Sequence, residues 1–186
     1  MGMGLIILLV VIAIIIIFLI SIYNSMVQLR IRADNAWSDI DIQLKRRHDL
    51  IPNIVETVKG YAAHEKGTFE NIAKWRSAAM SATGPADRAE AENQLTGALR
   101  QLFAVAEAYP QLKASEQFTG LQNSLQEVED AIQNARRYYN AVVRDYNTRI
   151  QTFPGAVFAG PFGFQPRQFF ELSAPAEREA PQVKFS

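Results

Sequence analysis

The chain of 186 residues contains no cysteine and only two histidines. The lack of cysteine excludes disulfides, thiolate metal sites and cysteine nucleophiles, and it is typical of a cytosolic domain. The 19 basic and 19 acidic residues give a formal net charge of zero, so no overall positive field exists to bind nucleic acid. The sequence also lacks a Gly-rich phosphate loop and a nucleophile–base arrangement. Together these absences predict a protein that is not an enzyme and holds no cofactor.

The two histidines are poorly placed for a metal site. His48 and His64 would lie roughly 24 Å apart along one helix, so they cannot share an ion. The His64-Glu65 pair lacks the second histidine of a zinc-protease helix, and residues 39–41 lack the glycine and the distal glutamate of a calcium loop. Both histidines are therefore interpreted as surface or bundle-edge residues, and no metal ligands are predicted.

An apolar run dominates the N-terminus, because the segment from Met1 to Tyr23 has no charged side chain. Leu5 to Ile20 is unbroken, and at about 1.5 Å per residue roughly 20 such residues cross a hydrocarbon core about 30 Å thick. Within lipid, each backbone N–H and C=O must be paired inside the segment, which favours a helix. Residues 1–23 are predicted to form a transmembrane anchor.

A cleaved signal peptide is the alternative interpretation of this run. Residues 1–4 carry no Lys or Arg, and residues 21–26 offer no Ala-x-Ala cleavage pattern, so a retained anchor is favoured. Arg30 and Arg32 follow the span, and no basic residue precedes it. The positive-inside rule then predicts a short N-terminus outside the membrane and the rest of the chain in the cytoplasm.

Beyond the span, seam residues recur at alternating steps of three and four, which predicts a helix packed along a nearly parallel neighbour. Pro52 lies inside this pattern, but the phase is kept on both sides, so one kinked helix is predicted rather than a break. The helix is expected to end around His64 to Lys66, with Gly67 as a left-handed cap and Thr68 as the next N-cap. The seam consists of Met26, Arg30, Ala33, Trp37, Ile40, Leu44, Arg47, Ile51, Ile54, Val58 and Tyr61.

Three further helices are predicted before residue 153. Thr83-Gly84-Pro85 ends the second helix, Pro85 starts the third, and Tyr109-Pro110 ends the third. Ser115 is the expected N-cap of the fourth helix. The fourth seam consists of Phe118, Leu121, Leu125, Val128, Ile132, Ala135, Tyr139, Val142, Tyr146 and Ile150.

The predicted fold class is all-α. The single-pass transmembrane helix continues into an antiparallel four-helix bundle with long, coiled-coil-like helices over residues 24–153. The alternative is that the second and third helices form one continuous rod. A Gly-Pro pair inside a helix is costly, so the four-helix arrangement is favoured.

Phe153-Pro154-Gly155 is predicted to end the helical region. The Phe-rich segment, residues 154–172, is not expected to continue a helix. In the four-helix arrangement the helix lengths lead this segment back to the membrane surface. Three roles stay open: capping the bundle, inserting at a membrane surface, or docking on another subunit. Residues 173–186 are predicted to be a disordered tail. The candidate contact residues of the segment are Phe158, Phe162, Phe164, Phe169 and Phe170.

Charged residues between Arg30 and Asp49 have two interpretations. Arg30 with Asp34, and Asp41 with Lys45, are spaced for ion pairs along a solvated helical face. The alternative is a contact surface for a neighbouring subunit or for anionic lipid headgroups. That surface would consist of Lys45, Arg46 and Arg47.

Two Tyr-Asn pairs, Tyr139-Asn140 and Tyr146-Asn147, are seven residues apart and therefore share one helical face. Buried tyrosines with satisfied hydroxyl groups are the preferred interpretation. A less favoured one is that Tyr139 lines a ligand cavity together with Trp37 and Trp75.

Several stretches of the chain resemble the LemA family. The similarity covers nearly the whole chain, and its segments are too long for chance. One position departs from the family pattern, because Tyr138 stands where an acidic residue is expected. The matching stretches are Tyr23–Val27, Asn35–Asn53, Val58–Glu65, Glu107–Ala114, Ala135–Asn140, Tyr146-Asn147 and Phe153–Gly155.

The resemblance implies a bacterial single-pass membrane protein with a small external N-terminus and a helical-bundle body. It does not imply an established enzyme family. Some relatives are linked to the organisation of intracellular membranes, and others are encoded beside a membrane zinc metalloprotease, which suggests envelope quality control.

The leading hypothesis is a self-associating scaffold of the inner membrane that contacts lipid and forms a homo-oligomer. This hypothesis is based on the length of the seams, which exceeds what a single bundle needs. One alternative is a monomeric adaptor that presents its bundle to a membrane metalloprotease or chaperone. Another is a lipid or small-molecule sensor. No nucleic acid partner is expected.

Overall fold

The computed structural model describes residues 2–171, so the predicted tail at 173–186 lies outside the described residues. Within residues 2–171 the chain forms six helices and no β-strand, which confirms the all-α prediction. The helices are α1 (Gly2–Lys59), α2 (Lys66–Ser81), α3 (Pro85–Glu107), α4 (Pro110–Lys113), α5 (Glu116–Gln151) and α6 (Gly155–Ala159).

Helix α1 contains the whole apolar run and continues without interruption through Pro52. It is long and apolar enough to cross a membrane. Its apolar side chains between Leu5 and Ile20 are almost all exposed, whereas the core helix of a soluble protein would bury them. In length, composition and exposure, this part of α1 is therefore a candidate membrane span.

The described residues divide into two compact units. The first unit comprises residues 2–39 and 137–168, which contain the first part of α1, the second part of α5, and α6 with its flanking loops. In this unit α1 and α5 run antiparallel, because Trp37 packs against Tyr139 while residues earlier in α1 pack against residues later in α5. The core cluster of the unit consists of Ile22, Met26, Tyr146, Ile150, Ala159 and Phe164.

The second unit comprises residues 40–136 and 169–171, which contain the rest of α1, helices α2 to α4, and the first part of α5. Helices α2 and α3 pack against each other, so the chain reverses between them and they do not form one continuous rod. Gly84 lies in this turn with φ of +89°, a conformation that favours glycine. The fully buried core residues include Ile51, Ile54, Val58, Ile72, Leu95, Leu102, Leu112 and Phe118.

Several helix ends lie where the sequence predicts them. Helix α3 begins at Pro85, and α4 begins at Pro110 directly after α3 has ended at Glu107. The Ser115 hydroxyl accepts a hydrogen bond from the backbone N–H of Phe118 at 3.4 Å, which confirms Ser115 as the N-cap of α5. A proline at the first helical position and a serine N-cap both act on the adjacent backbone, so the helix ends they mark can be predicted without the tertiary structure.

The predicted junction between α1 and α2 is wrong by several residues. Helix α1 ends at Lys59, and Gly67 lies inside α2 instead of capping α1. The backbone N–H groups of Tyr61 and Ala62 both bond to the carbonyl of Val58, which closes a tight turn directly after the helix. The hydrogen bonds of α2 begin at the carbonyl of Glu65, so Thr68 is not needed as an N-cap.

Helix α5 ends at Gln151 and does not continue into the Phe-rich segment, as predicted. The prediction that the helical region ends at Phe153-Pro154-Gly155 is wrong, because Gly155–Ala159 forms the separate short helix α6. Gly155 packs against the end of α5 so closely that a Cβ atom there would lie 2.0 Å from the Arg149 carbonyl oxygen. Only glycine fits this contact without a shift of the backbone. The glycine therefore allows the chain to turn back onto α5 and start a new helical turn.

Candidate functional site

A network of buried charges lies in the core of the second unit. Arg47 of α1 donates from Nη1 to Glu92 Oε2 at 2.8 Å and from Nη2 to the Thr96 hydroxyl at 2.6 Å. The other carboxylate oxygen of Glu92 lies 2.8 Å from His48 Nε2. Both Arg47 and Glu92 are almost completely inaccessible to solvent. Each of these groups would be costly to bury alone, so the pairing is what allows all three to lie in the core.

Glu129 of α5 completes this network from the side of the solvent. Its Oε1 lies 2.9 Å from Arg47 Nε as an ion pair, although the N–H is not aligned for a hydrogen bond. Burial raises the pKa of the Glu129 carboxyl, and the negative charge of Glu92 acts in the same direction, while Arg47 opposes both. Arg47 is therefore shared between two acids, Glu92 and Glu129.

A cleft of about 420 Å³ opens beside this pair, between α3 and α5. Arg47 and Glu129 lie on its wall, and Arg100 lines it as well. The remaining lining residues combine carboxamide or hydroxyl groups with apolar side chains, a mixture that is common in small-molecule sites. They are Thr96, Leu99, Phe103, Gln122, Leu125, Gln126 and Gln133.

The first unit contains a different arrangement, in which polar side chains of α5 hold the segment that follows α6. The hydroxyl groups of Tyr139 and Tyr146 donate to the carbonyls of Gln168 and Gln165, both at 3.0 Å. Asn147 makes two bonds with the backbone of Arg167, donating to its carbonyl at 2.9 Å and accepting from its N–H at 2.8 Å. The prediction of buried tyrosines with satisfied hydroxyl groups is therefore confirmed.

These tyrosines keep their protons over the whole physiological range. Burial raises the pKa of both the Tyr139 and Tyr146 hydroxyl groups, and the nearby Arg167 guanidinium only partly opposes this. A protonated hydroxyl is needed to donate to a carbonyl. The hydrogen bonds that hold residues 165–168 on α5 are therefore insensitive to pH near neutrality.

Aromatic rings gather at the end of the apolar run in the first unit. The ring of Tyr23 makes edge contacts with Phe162 and Phe164, with centroid distances of 5.2 and 5.8 Å. The Arg30 guanidinium lies 5.3 Å from the centre of the Phe164 ring, within reach of a cation–π interaction. These contacts fix residues 162–164 beside the first three turns of α1 that follow the apolar run.

The five candidate phenylalanines differ in exposure, so they cannot all form one contact surface. Phe164 and Phe170 are buried, and Phe158 is partly buried against the core of the first unit. Phe162 and Phe169 are exposed. The buried members are therefore core residues, which leaves only the exposed ones for lipid or for a partner.

The basic cluster is divided in the same way. Lys45 and Arg46 are exposed, and Arg46 donates to Gln43 at 3.1 Å. Arg47 is turned into the core, so the candidate surface loses one of its three charges. The spaced ion pairs are replaced by tertiary ones, since Asp34 pairs with Arg167 at 2.6 Å and Asp41 pairs with Arg88.

His48 was predicted at the surface or a bundle edge, and this is wrong because Glu92 gives it a buried hydrogen-bond partner. His64 is exposed, as predicted. In the part of the chain that the structure describes, no three His, Cys, Asp or Glu side chains are grouped so as to hold a metal ion.

The predicted site residues did not include Glu92, which is buried in the core of the second unit. They also did not include Phe153 and Val157, two exposed apolar side chains close in sequence to the candidate phenylalanines. Arg47 on the apolar seam of α1 was the sequence feature that could have indicated a buried acid such as Glu92, because a buried guanidinium requires an acid opposite it. The position of that acid depends on how α3 packs, which the pattern of α1 does not specify.

The sequence model of the LemA family matches residues 36–185. Magnetosome protein MamQ 1 of Paramagnetospirillum magneticum is 26% identical to this chain over 175 residues, which covers 80% of this chain. Protein LemA of Metamycoplasma hominis is 28% identical over 134 residues and covers 70% of this chain. This chain spans 64% of the length of the MamQ protein and 60% of the length of the mycoplasma protein.

Proposed function

The chain belongs to the LemA family and is a membrane-associated helical protein, and from this premise we propose that it is a scaffold anchored in the bacterial inner membrane. Residues 1–23 cross the bilayer once, with a short N-terminus outside and the helical body in the cytoplasm. The scaffold acts in membrane organisation or in envelope quality control and catalyses no reaction.

The observation that supports this proposal is the continuity of α1. The apolar run and the core residues Ile22 and Met26 belong to the same unbroken helix. Cleavage of a signal peptide near Ser25 would cut this helix and remove Ile22 from the core of the first unit. The packing therefore favours a retained anchor over a cleaved peptide.

Self-association stays a prediction, and the structure changes its basis. The α1 seam residues Met26, Ile40 and Leu44 are buried, as are Val128 and Ile132 on α5. Packing within one chain therefore explains why the apolar seams of α1 and α5 are so long. A homo-oligomer would have to form through other surfaces. A membrane metalloprotease as partner likewise remains a prediction, which co-purification at native expression would test.

The absence of cysteine allows a direct test of topology. In spheroplasts, a cysteine introduced by Tyr138→Cys, at an exposed position of α5, is expected to react with a membrane-impermeant maleimide only after permeabilisation. A cysteine introduced by Gly2→Cys is the control and is expected to react without permeabilisation. Labelling of the Tyr138→Cys variant in intact spheroplasts would refute the cytoplasmic body, and recovery of a soluble chain without residues 1–23 would refute the anchor.

The scaffold itself is tested by crosslinking at native expression. Discrete homo-oligomers would support it, and a chain that stays monomeric while a stoichiometric partner co-purifies would support the adaptor instead.

A sensor is a second candidate, because the cleft beside Arg47 and Glu129 is large enough for a small molecule. The cavity expected from Trp37, Trp75 and Tyr139 is not this one. Trp37 and Tyr139 pack directly on each other at 5.3 Å, and Trp75 packs on the core of the second unit. Native mass spectrometry of the purified protein would test the sensor through a retained small molecule, whose loss in an Arg100→Ala variant would locate it in the cleft.

A further inference from the structure

Residues 152–166, here called the aromatic loop, expose apolar side chains over an uncharged stretch of the first unit. The loop contains no Asp, Glu, Lys or Arg. Phe153 is 84% exposed, Val157 58% and Phe162 55%. Scattered apolar side chains are ordinary on a protein surface, but three large ones within ten residues without a charge indicate a contact site.

The position of the loop along α1 identifies what it contacts. Phe162 lies against Tyr23, which is three residues beyond Ile20 and hence about 4.5 Å past the end of the apolar run. The headgroup region on each side of a bilayer is about 5–7 Å thick, judging by its total and hydrocarbon thicknesses. Tyr23 and Phe162 therefore lie at the depth of the headgroups when the run spans the hydrocarbon core. Aromatic side chains are enriched at this depth.

The loop is held in this position from both of its ends. Gly155 packs against the backbone of α5, and Ala159 and Phe164 belong to the core of the first unit. Beyond Phe164, the hydroxyl of Tyr146 and the carboxamide of Asn147 hold the backbone of residues 165–167. The exposed side chains are therefore kept outward by the packing of their neighbours, and the contact surface is preformed.

We propose that the aromatic loop is a lipid-contact surface, in which Phe153, Val157 and Phe162 enter the headgroup–acyl boundary of the bilayer beside the span. This rests on the proposed function, because it requires residues 1–23 to be inserted. The chain would then have two attachments to the membrane, one through it and one on it. Phospholipid is the occupant favoured over a second copy of the chain, because the loop packs beside the end of the span through the Tyr23–Phe162 contact and is uncharged.

Spin labels on single cysteines test the proposal in the full chain. The protein is reconstituted in nanodiscs of phosphatidylcholine with one quarter phosphatidylglycerol, and collisions of the nitroxide with oxygen and with a water-soluble nickel chelate are compared. The labelled variants are Val157→Cys and Phe153→Cys. Tyr138→Cys is the matched control, since Tyr138 is 55% exposed in the same unit. The neighbouring residue Tyr139 packs on Trp37, and Trp37 lies about 25 Å along α1 beyond the end of the apolar run. Position 138 is therefore expected to lie far from the bilayer.

The ratio of oxygen to nickel collisions is expected to be several-fold higher at positions 153 and 157 than at 138. Ratios at 153 and 157 equal to that at 138 would refute the lipid contact. Protection from both reagents together with spin–spin broadening would refute it in favour of a second copy of the chain. A label introduced by Ile12→Cys separates this proposal from the previous one. If position 12 is embedded and 153 and 157 are not, only the lipid contact fails, whereas an exposed position 12 would overturn the anchor itself.

Discussion

Replacement of Glu92 by alanine is expected to destabilise the second unit more than any surface change. The Glu92 carboxylate accepts from Arg47 at 2.8 Å and lies 2.8 Å from His48, and it is completely buried. Alanine would leave the Arg47 guanidinium in the core with only Thr96 and the misaligned Glu129 as partners. A buried charge that loses its partner is much more costly than the pair is favourable.

Removal of one member of a buried pair costs about 3–5 kcal/mol, against a total stability of about 5–15 kcal/mol for a typical domain. With a urea dependence of about 2 kcal/mol per molar, the unfolding midpoint should fall by about 2 M. The assay is urea unfolding of the full chain in a mild detergent, followed by far-UV circular dichroism. A chain near the lower end of the stability range would not fold at all.

Glu90→Ala provides the matched control, because Glu90 lies on the same helix, is exposed and accepts a hydrogen bond from Gln94 at 3.2 Å. It should change the free energy of unfolding by no more than about 0.5 kcal/mol. The double replacement Arg47→Met with Glu92→Leu removes both charges and should recover most of the lost stability. The reasoning is refuted if Glu92→Ala is as mild as Glu90→Ala, or if the double replacement is no more stable than Glu92→Ala.

Two further predictions concern Glu129 and Gly155. Because burial raises the pKa of Glu129, the folded state keeps its proton to higher pH than the unfolded state, and stability declines as pH rises from the ordinary glutamate pKa to the raised one. Glu129→Gln should therefore be more stable than the parent at pH 7 and equal to it below pH 4, and urea midpoints that show a constant difference would contradict this. Gly155→Ala should cost about 1–3 kcal/mol because its Cβ would meet the Arg149 carbonyl, whereas Gly160→Ala has open space and should be tolerated, as thermal unfolding of the two variants can establish.

The seams show how far a pattern predicts packing. The prediction that Ile40, Leu44 and Ile51 share a buried face of α1 is confirmed, and so is that for Val128 and Ile132 on α5. A helical repeat is a local property, so the face that is apolar is also the face that packs. The same argument predicted the start of α3 at Pro85 and the cap at Ser115.

The junction from α1 to α2 could not be predicted in the same way. Gly67 and Thr68 both have the right chemistry for helix ends, yet the helix ends earlier at Lys59. Ala62 is buried in the core of the second unit, and its contacts there place the turn. Competing local signals of similar strength are therefore decided by packing.

Helix content, the apolar run of a possible span and the buried faces of the long helices were determined by the sequence itself, because each depends on residues close together in the chain. The tertiary structure alone decided that Arg47 and His48 are buried with Glu92 while Lys45 stays in solvent. It also decided that Phe164 is core while Phe162 is exposed beside Tyr23. Neighbouring side chains of the same type differ in these ways because burial depends on what the opposing helix supplies. An arginine can be buried in a core only where an acid on the opposing helix pairs with it. A phenylalanine remains exposed where the core is already filled by other side chains.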